Sequence, residues 1–281
     1  MKKHTVMCQD TSIAVFEYSS LGSPIILLHP SGIFASYVWE KVAKELSVHY
    51  RVLAVDFRGH GESATPKSGY HLEQLALDIE SVLDYFHIEN AHIVGNSLGG
   101  EVAVVMASTI ADRVQSITLI DGGILSYMGP RGEVEGTKAE IVDRFLHRKI
   151  LEFDSIEDTH TFCMEQFPKH WGQWIPSFPI RTLPNGKVTY MQDGQITAQI
   201  MASVCDLDLD GCFNNIDCPV LFLPASKEPK LDIKLENISH WEKALQTSKL
   251  TIIPDSEHIM MTPTHSKKIA EEIHVFLSQI R

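Results

Sequence analysis

Six short, mostly apolar runs constrain this chain more than any other feature. They are PIILLHP (24–30), YRVLAVDF (50–57), AHIVG (91–95), VQSITLID (114–121), CPVLFLP (218–224) and KLTIIP (249–254). Runs of this length without polar alternation suit strands buried on both faces. Helical patterns separate most of them. Leu72, Leu75, Ile79, Val82, Leu83 and Phe86 recur at three- and four-residue spacing, and so do Ile269, Ile273, Phe276 and Ile280. Such stripes predict amphipathic helices. Strand and helix in alternation predict an α/β chain: a mostly parallel, doubly wound sheet with helices on both faces.

The alternation stops between 124 and 217. No buried strand stands out there, and the stretch carries Trp171, Trp174, Phe178 and several helix-favouring charged segments. A gap of that size is not a bare loop in a compact domain. It reads as an inserted, largely helical cap. The division expected is a first core part over 1–123, the cap over 124–217, and a second core part over 218–281.

Composition excludes some partners. A formal net charge of −12 argues against nucleic acid and against an anionic membrane surface. No apolar stretch follows Lys2 and Lys3 as a secretory signal requires. No run approaches the roughly 20 apolar residues of a membrane span. The five cysteines show no CxxC pair. They read as reduced thiols in a cytoplasmic protein, with no metal site.

One strand–helix junction carries chemistry. Gly95-Asn96-Ser97-Leu98-Gly99 places a serine between two glycines, after AHIVG and before a helical run of small and branched apolar residues. A turn sharp enough to expose a serine at a strand's carboxyl end crowds its neighbours, and glycine relieves the crowding. Ser97 is therefore the candidate nucleophile, and the Leu98 amide one oxyanion donor. A hydroxyl needs a base. His258 follows the last apolar run and precedes the last helix, so its loop opens at the carboxyl edge where Ser97 emerges. The base needs an orienting acid. Glu228, after CPVLFLP, is the first choice, and Asp121, at the end of VQSITLID, is the alternative. The order serine, acid, histidine holds for both. The loop after PIILLHP supplies the second oxyanion donor, the Ser31 amide, and His29 braces that loop beside the substrate.

Taken together, ILLHPSG, VLAVDFRGHGES, HIVGNSLGG, CPVLFLPASKEP and IIPDSEH resemble the α/β-hydrolase superfamily, especially its capped esterase, haloperoxidase-like and carbon–carbon hydrolase branches. The likeness covers nearly the whole chain outside the cap. It implies the α/β-hydrolase fold, Ser97 and His258 in catalysis, and Leu98 and Ser31 amides at the oxyanion. It implies a structural turn over Asp56 to Ser63. The sequence departs from the family where His29-Pro30 replaces His-Gly. It departs again where Glu228 stands at the usual aspartate.

The expected activity is cleavage of a carboxylic ester, linear or lactone, through an acyl-enzyme, with no cofactor. The partner expected is a small-molecule ester or lactone, with Trp171 and Trp174 of the cap lining its pocket. Two alternatives stand. A carbon–carbon bond hydrolase would turn a cap arginine, Arg144, Arg148 or Arg181, toward Ser97 to hold a substrate carboxylate. A slow-turnover small-molecule receptor would keep the same triad. DLDLDGCFNNID (206–217) nearly matches a calcium loop but lacks the closing glutamate, and reads as an acidic, solvated linker.

Overall fold

Five of the apolar runs form the middle of one eight-stranded sheet, and the sixth reaches its edge. A computed structural model describes residues 1–129 and 132–280. The strands are β1 (Lys2–Met7), β2 (Ser12–Ser19), β3 (Pro24–Leu28), β4 (Arg51–Val55), β5 (Ala91–Asn96) and β6 (Val114–Ile120). After a separate hairpin, β7 (Arg181–Thr182) with β8 (Val188–Thr189), come β9 (Val220–Leu223) and β10 (Ser248–Leu250). The sheet order is β1-β2-β4-β3-β5-β6-β9-β10. Pairing is parallel from β4 to β10 and antiparallel in β1–β2 and β2–β4. Of the run at 249–254 only Lys249 and Leu250 are strand, as the end of β10, and a single parallel bridge from Ala225 to Ile253 extends it.

Side-chain alternation along the strands divides the core in two. Ile26, Leu28, Leu53 and Val55 face one side, and Ile25, Leu27, Val52 and Ala54 face the other. A strand's period of two makes this split unavoidable when helices cover both faces. The first side packs on α2 (Leu72–Tyr85), α3 (Leu98–Thr109) and α8 (Leu231–Trp241). The second packs on α1 (Glu40–Leu46) and α9 (Ser266–Gln279). The stripe at Leu72, Leu75, Ile79, Val82 and Leu83 is buried, as its spacing predicts.

Between β6 and β9 the chain inserts α4 (Lys138–Leu146), α5 (Ile156–Gln166), α6 (Gly194–Asp206), α7 (Leu209–Phe213), two short 3-10 turns and the β7–β8 hairpin. The acids of the segment at 206–217 are exposed, as expected, but the segment is more than a linker: it includes α7, and three of its acids hold structure. Asp206 pairs with Lys138, Asp208 caps α7 by accepting from the Gly211 amide at 3.0 Å, and Asp210 accepts from Trp241 Nε1–H at 2.7 Å. Among the described residues no helix is long and apolar enough to cross a membrane. All five cysteines are free.

The turn at Asp56 to Ser63 is knit by buried polar contacts. Asp56 accepts from the Ser36 and Glu62 amides at 2.7 and 2.8 Å. Arg58 donates from Nε and Nη2 to both Asp78 oxygens at 2.6 and 2.7 Å, and neither side chain is more than 2% exposed. Arg58 Nη2 also donates to the exposed Asp10 at 3.0 Å, so losing Asp78 leaves the buried guanidinium only this solvent-facing partner. Asp78→Ala should therefore lower stability by about 3–5 kcal/mol in urea unfolding. A loss under about 1 kcal/mol would show that the Asp10 contact suffices to hold the Arg58 charge.

Candidate active site

Ser97 sits where β5 turns into α3, half-buried between buried Asn96 and Leu98. Its backbone lies at φ +53°, ψ −124°, a conformation that non-glycine residues rarely adopt. Such strain, about 1–3 kcal/mol, persists only where surrounding structure enforces it. Here β5 and the start of α3 almost touch: a Cβ on Gly95 would stand 2.0 Å from the Gly99 carbonyl oxygen. The next strand closes the other side, since a Cβ on Gly122 would stand 2.3 Å from the Ser97 carbonyl oxygen. The Ser97 amide donates to the Ile120 carbonyl at 3.3 Å. As the first residue of α3, Leu98 has an amide with no carbonyl one turn back to receive it.

The adjacent strand supplies the acid. Asp121 directly follows β6, fully buried, at φ +50°. Its Oδ2 accepts from His258 Nδ1 at 2.7 Å. Its Oδ1 accepts from the Ala225 amide and from Lys234 Nζ, both at 3.0 Å. The carboxylate is held below its ordinary range. Burial alone would raise it, but the His258 bond and the Lys234 charge outweigh burial. His258 is shifted upward. Burial opposes its protonation, yet the Asp121 bond and charge, with the Glu133 charge, more than offset it.

Glu228, the acid the sequence puts first, is in the neighbourhood but not in that bond. It lies after β9, and its Oε2 accepts from Lys234 Nζ at 3.1 Å. Lys234, 1% exposed, stands between the two carboxylates and takes Glu228 for itself. Asp121, Glu228 and His258 bring ligand atoms within 4.8 Å of one another, a spacing a metal ion could bridge. The lysine ammonium already supplies a cation there.

Two residues that the sequence left without a role hold this edge together. Asn96, fully buried, donates from Nδ2 to the Ile120 carbonyl at 2.5 Å and to the His258 carbonyl at 3.1 Å. It ties the loop of the histidine to the strands beneath the serine. Glu101, in the first turn of α3, accepts from the Gly123 amide at 3.1 Å. Burial, with the nearby Glu133 charge, pushes its carboxyl up to about 7.

The loop after β3 carries Ser31, whose hydroxyl is buried with no hydrogen-bond partner among the described residues. His29 does not meet a substrate, because it is fully buried and both ring nitrogens serve the backbone. Nδ1 donates to the Pro30 carbonyl at 2.6 Å, and Nε2 accepts from the Phe57 amide at 3.0 Å. Burial lowers its pKa to about 4, so it stays neutral. Next door, His60 Nδ1 donates to the Arg58 carbonyl at 3.1 Å. That leaves Nε2 to accept from the Gly32 amide at 3.3 Å and from Gln192 Nε2 at 2.9 Å. Gln192 belongs to the insert. Burial, with the neighbouring His29, keeps His60 neutral down to about 3.

Trp171 and Trp174 both pack edge-on against Phe34, at 5.2 and 6.4 Å between ring centroids. Trp171 keeps some exposed surface, whereas Trp174 is 6% exposed. Arg148 donates to the Gln192 carbonyl and to Thr197 Oγ1, and Arg181 Nε donates to the Met191 carbonyl at 2.9 Å. These two arginines spend those donors inside the insert.

A family model described as alpha/beta hydrolase fold matches residues 24–168. The chain is 35% identical over 258 residues to a Synechocystis sp. protein provisionally named a non-heme chloroperoxidase, covering 90% of this chain and 91% of that one. A shorter match, 35% identical over 100 residues, covers 35% of this chain. Its partner is the dihydrolipoyllysine-residue acetyltransferase component of the acetoin cleaving system of Pseudomonas putida. The chain spans only 26% of that relative, and 40% and 31% of the next ones. Among solved structures, a bromoperoxidase from Bacillus anthracis has the same fold, with a TM-score of 0.76 at 18% identity over 99% of this chain and 100% of that one.

Proposed function

The chain belongs to the alpha/beta hydrolase family, and on that premise we propose that it is a serine hydrolase cleaving a small-molecule carboxylic ester, linear or lactone. The observation that carries the reading is the 2.7 Å bond from His258 to buried Asp121, on the sheet edge where Ser97 stands in strained geometry. Ser97 Oγ attacks the ester carbonyl carbon while His258 Nε2 takes its proton. Asp121 fixes the tautomer, keeping Nδ1–H toward itself and leaving Nε2 free to accept. The Leu98 and Ser31 amides hold the oxyanion. His258 then protonates the leaving alcohol. A water that gives its proton to His258 releases the acid from Ser97.

The insert acts as the cap of this site. The cluster of Phe34, Trp171 and Trp174 forms an apolar wall beside the oxyanion loop and favours a medium or bulky acyl group. The in-cap bonds of Arg148 and Arg181 weigh against those two arginines as holders of a carbon–carbon hydrolase's substrate carboxylate, and leave Arg144 as the candidate for that alternative.

Turnover of a short aryl ester tests the proposal, and its pH dependence tests the base. Only neutral His258 can accept the serine proton, so kcat/KM should rise with pH through the pKa of the histidine. Because that pKa is raised, the midpoint should lie above 6.5, the value of an unperturbed imidazole. No steady turnover of any ester or lactone in a graded series would point instead to a receptor that uses the same site for binding.

A further inference from the structure

We propose that Lys234 is a positioning residue of this site, acting on His258 through Asp121, with Glu228 as the counter-charge that sets its strength. The proposal rests on His258 being the base and Asp121 its partner. Lys234 reaches in from α8, and its ammonium is 1% exposed. It donates to Asp121 Oδ1 at 3.0 Å while Asp121 Oδ2 receives His258 Nδ1–H at 2.7 Å. On its far side it donates to Glu228 Oε2 at 3.1 Å. The four side chains form one chain: imidazole, carboxylate, ammonium, carboxylate.

This arrangement has two consequences. Two donors, Lys234 Nζ and the Ala225 amide, fix Asp121 Oδ1, so the other oxygen has no freedom but to face His258. The charges along the chain also alternate. Asp121 favours the imidazolium, Lys234 opposes it, and Glu228 tempers Lys234. Burial opposes Lys234's own charge, but Asp121 and Glu228 more than restore it, and its pKa lies above the ordinary lysine value. The remaining groups around His258 are few. Glu133 acts on it from the segment before α4, and Glu101 lies near it on α3. On its own loop, Asp255 and Glu257 are exposed, and Lys227 lies 3.6 Å from Asp255.

A pair of variants reads the effect in opposite directions. Lys234→Met removes the charge that opposes the imidazolium, so the acidic limb of kcat/KM should move to higher pH. At neutral pH, kcat/KM should fall on the order of tenfold to a hundredfold, as when an outer partner that orients a reacting group is lost. Glu228→Gln leaves the lysine charge unopposed, so the limb should move to lower pH with kcat/KM on the plateau within about tenfold of wild type. A residue that only supports the fold would move neither limb. If Lys234→Met does not fold, the Lys234→Met/Glu228→Gln double variant leaves no uncompensated charge between them. Its limb must then lie above that of Glu228→Gln alone.

The proposal is overturned if Lys234→Met, or the step from Glu228→Gln to the double variant, leaves the limb in place or lowers it. Failure of the underlying reading looks different. If Glu228 were the true partner of His258, Glu228→Gln would lose orders of magnitude on the plateau instead of shifting a limb.

Discussion

Ser97→Ala should lose activity toward a short aryl ester by roughly a millionfold in kcat, the size of effect that follows removal of a serine hydrolase nucleophile. A residue of about 10³-fold over the uncatalysed reaction should remain, because the oxyanion amides and the binding surface are untouched. The fold should persist. The Ser97 backbone amide and carbonyl make the bonds that hold the elbow, and alanine keeps both. Alanine occupies the same unusual φ at a similar cost, so the melting temperature should stay within a few degrees of wild type. Normal turnover by a folded Ser97→Ala would reject the mechanism outright.

Asp121→Asn should be the next most damaging change, costing on the order of 10⁴ in kcat, as for the equivalent change in a well-studied triad. Local geometry explains why an isosteric amide is so poor. The Ala225 amide and Lys234 both donate to Oδ1, so the carboxamide must keep its oxygen there. Its NH₂ then points at His258 Nδ1, which must become an acceptor. The imidazole is driven into the Nε2–H tautomer and can no longer receive the serine proton. Glu228→Gln disturbs none of these bonds to His258. Measuring both variants at their pH optima separates the two acids, and a large loss for Glu228→Gln with a small one for Asp121→Asn would reverse their roles.

Much of this architecture was legible because burial on both faces of a sheet leaves a strong mark. The interior strands β3, β4, β5, β6 and β9 announce themselves as apolar runs, and the elbow glycines mark the serine. β1 is silent for the opposite reason. It is an edge strand with most of its side chains exposed, so it has no apolar run to display. The carboxyl that meets His258 was not legible either. Asp121 and Glu228 follow neighbouring strands, and chain order admits both. What separates them is in three dimensions: Asp121 receives His258 and the Ala225 amide, whereas Glu228 pairs with Lys234. Nothing around Lys234 in the sequence distinguishes it from a surface lysine on a helix. The acids at 206–217 read as a plain linker because composition does not show an acid's partner, and Asp206, Asp208 and Asp210 each bond a different one.

The contact from Gln192 through His60 to the Gly32 amide carries a lesson for anyone who would redesign the specificity of this protein. Grafting a new lid onto such a scaffold is attractive because the insert and Ser97 lie in separate stretches of chain. Here they do not vary independently. A transplanted lid without a donor at position 192 would leave the His60 ring one partner short, and would loosen the loop that presents Ser31. Substrate choice and rate would then change together, and a library built on lids alone would confound the two.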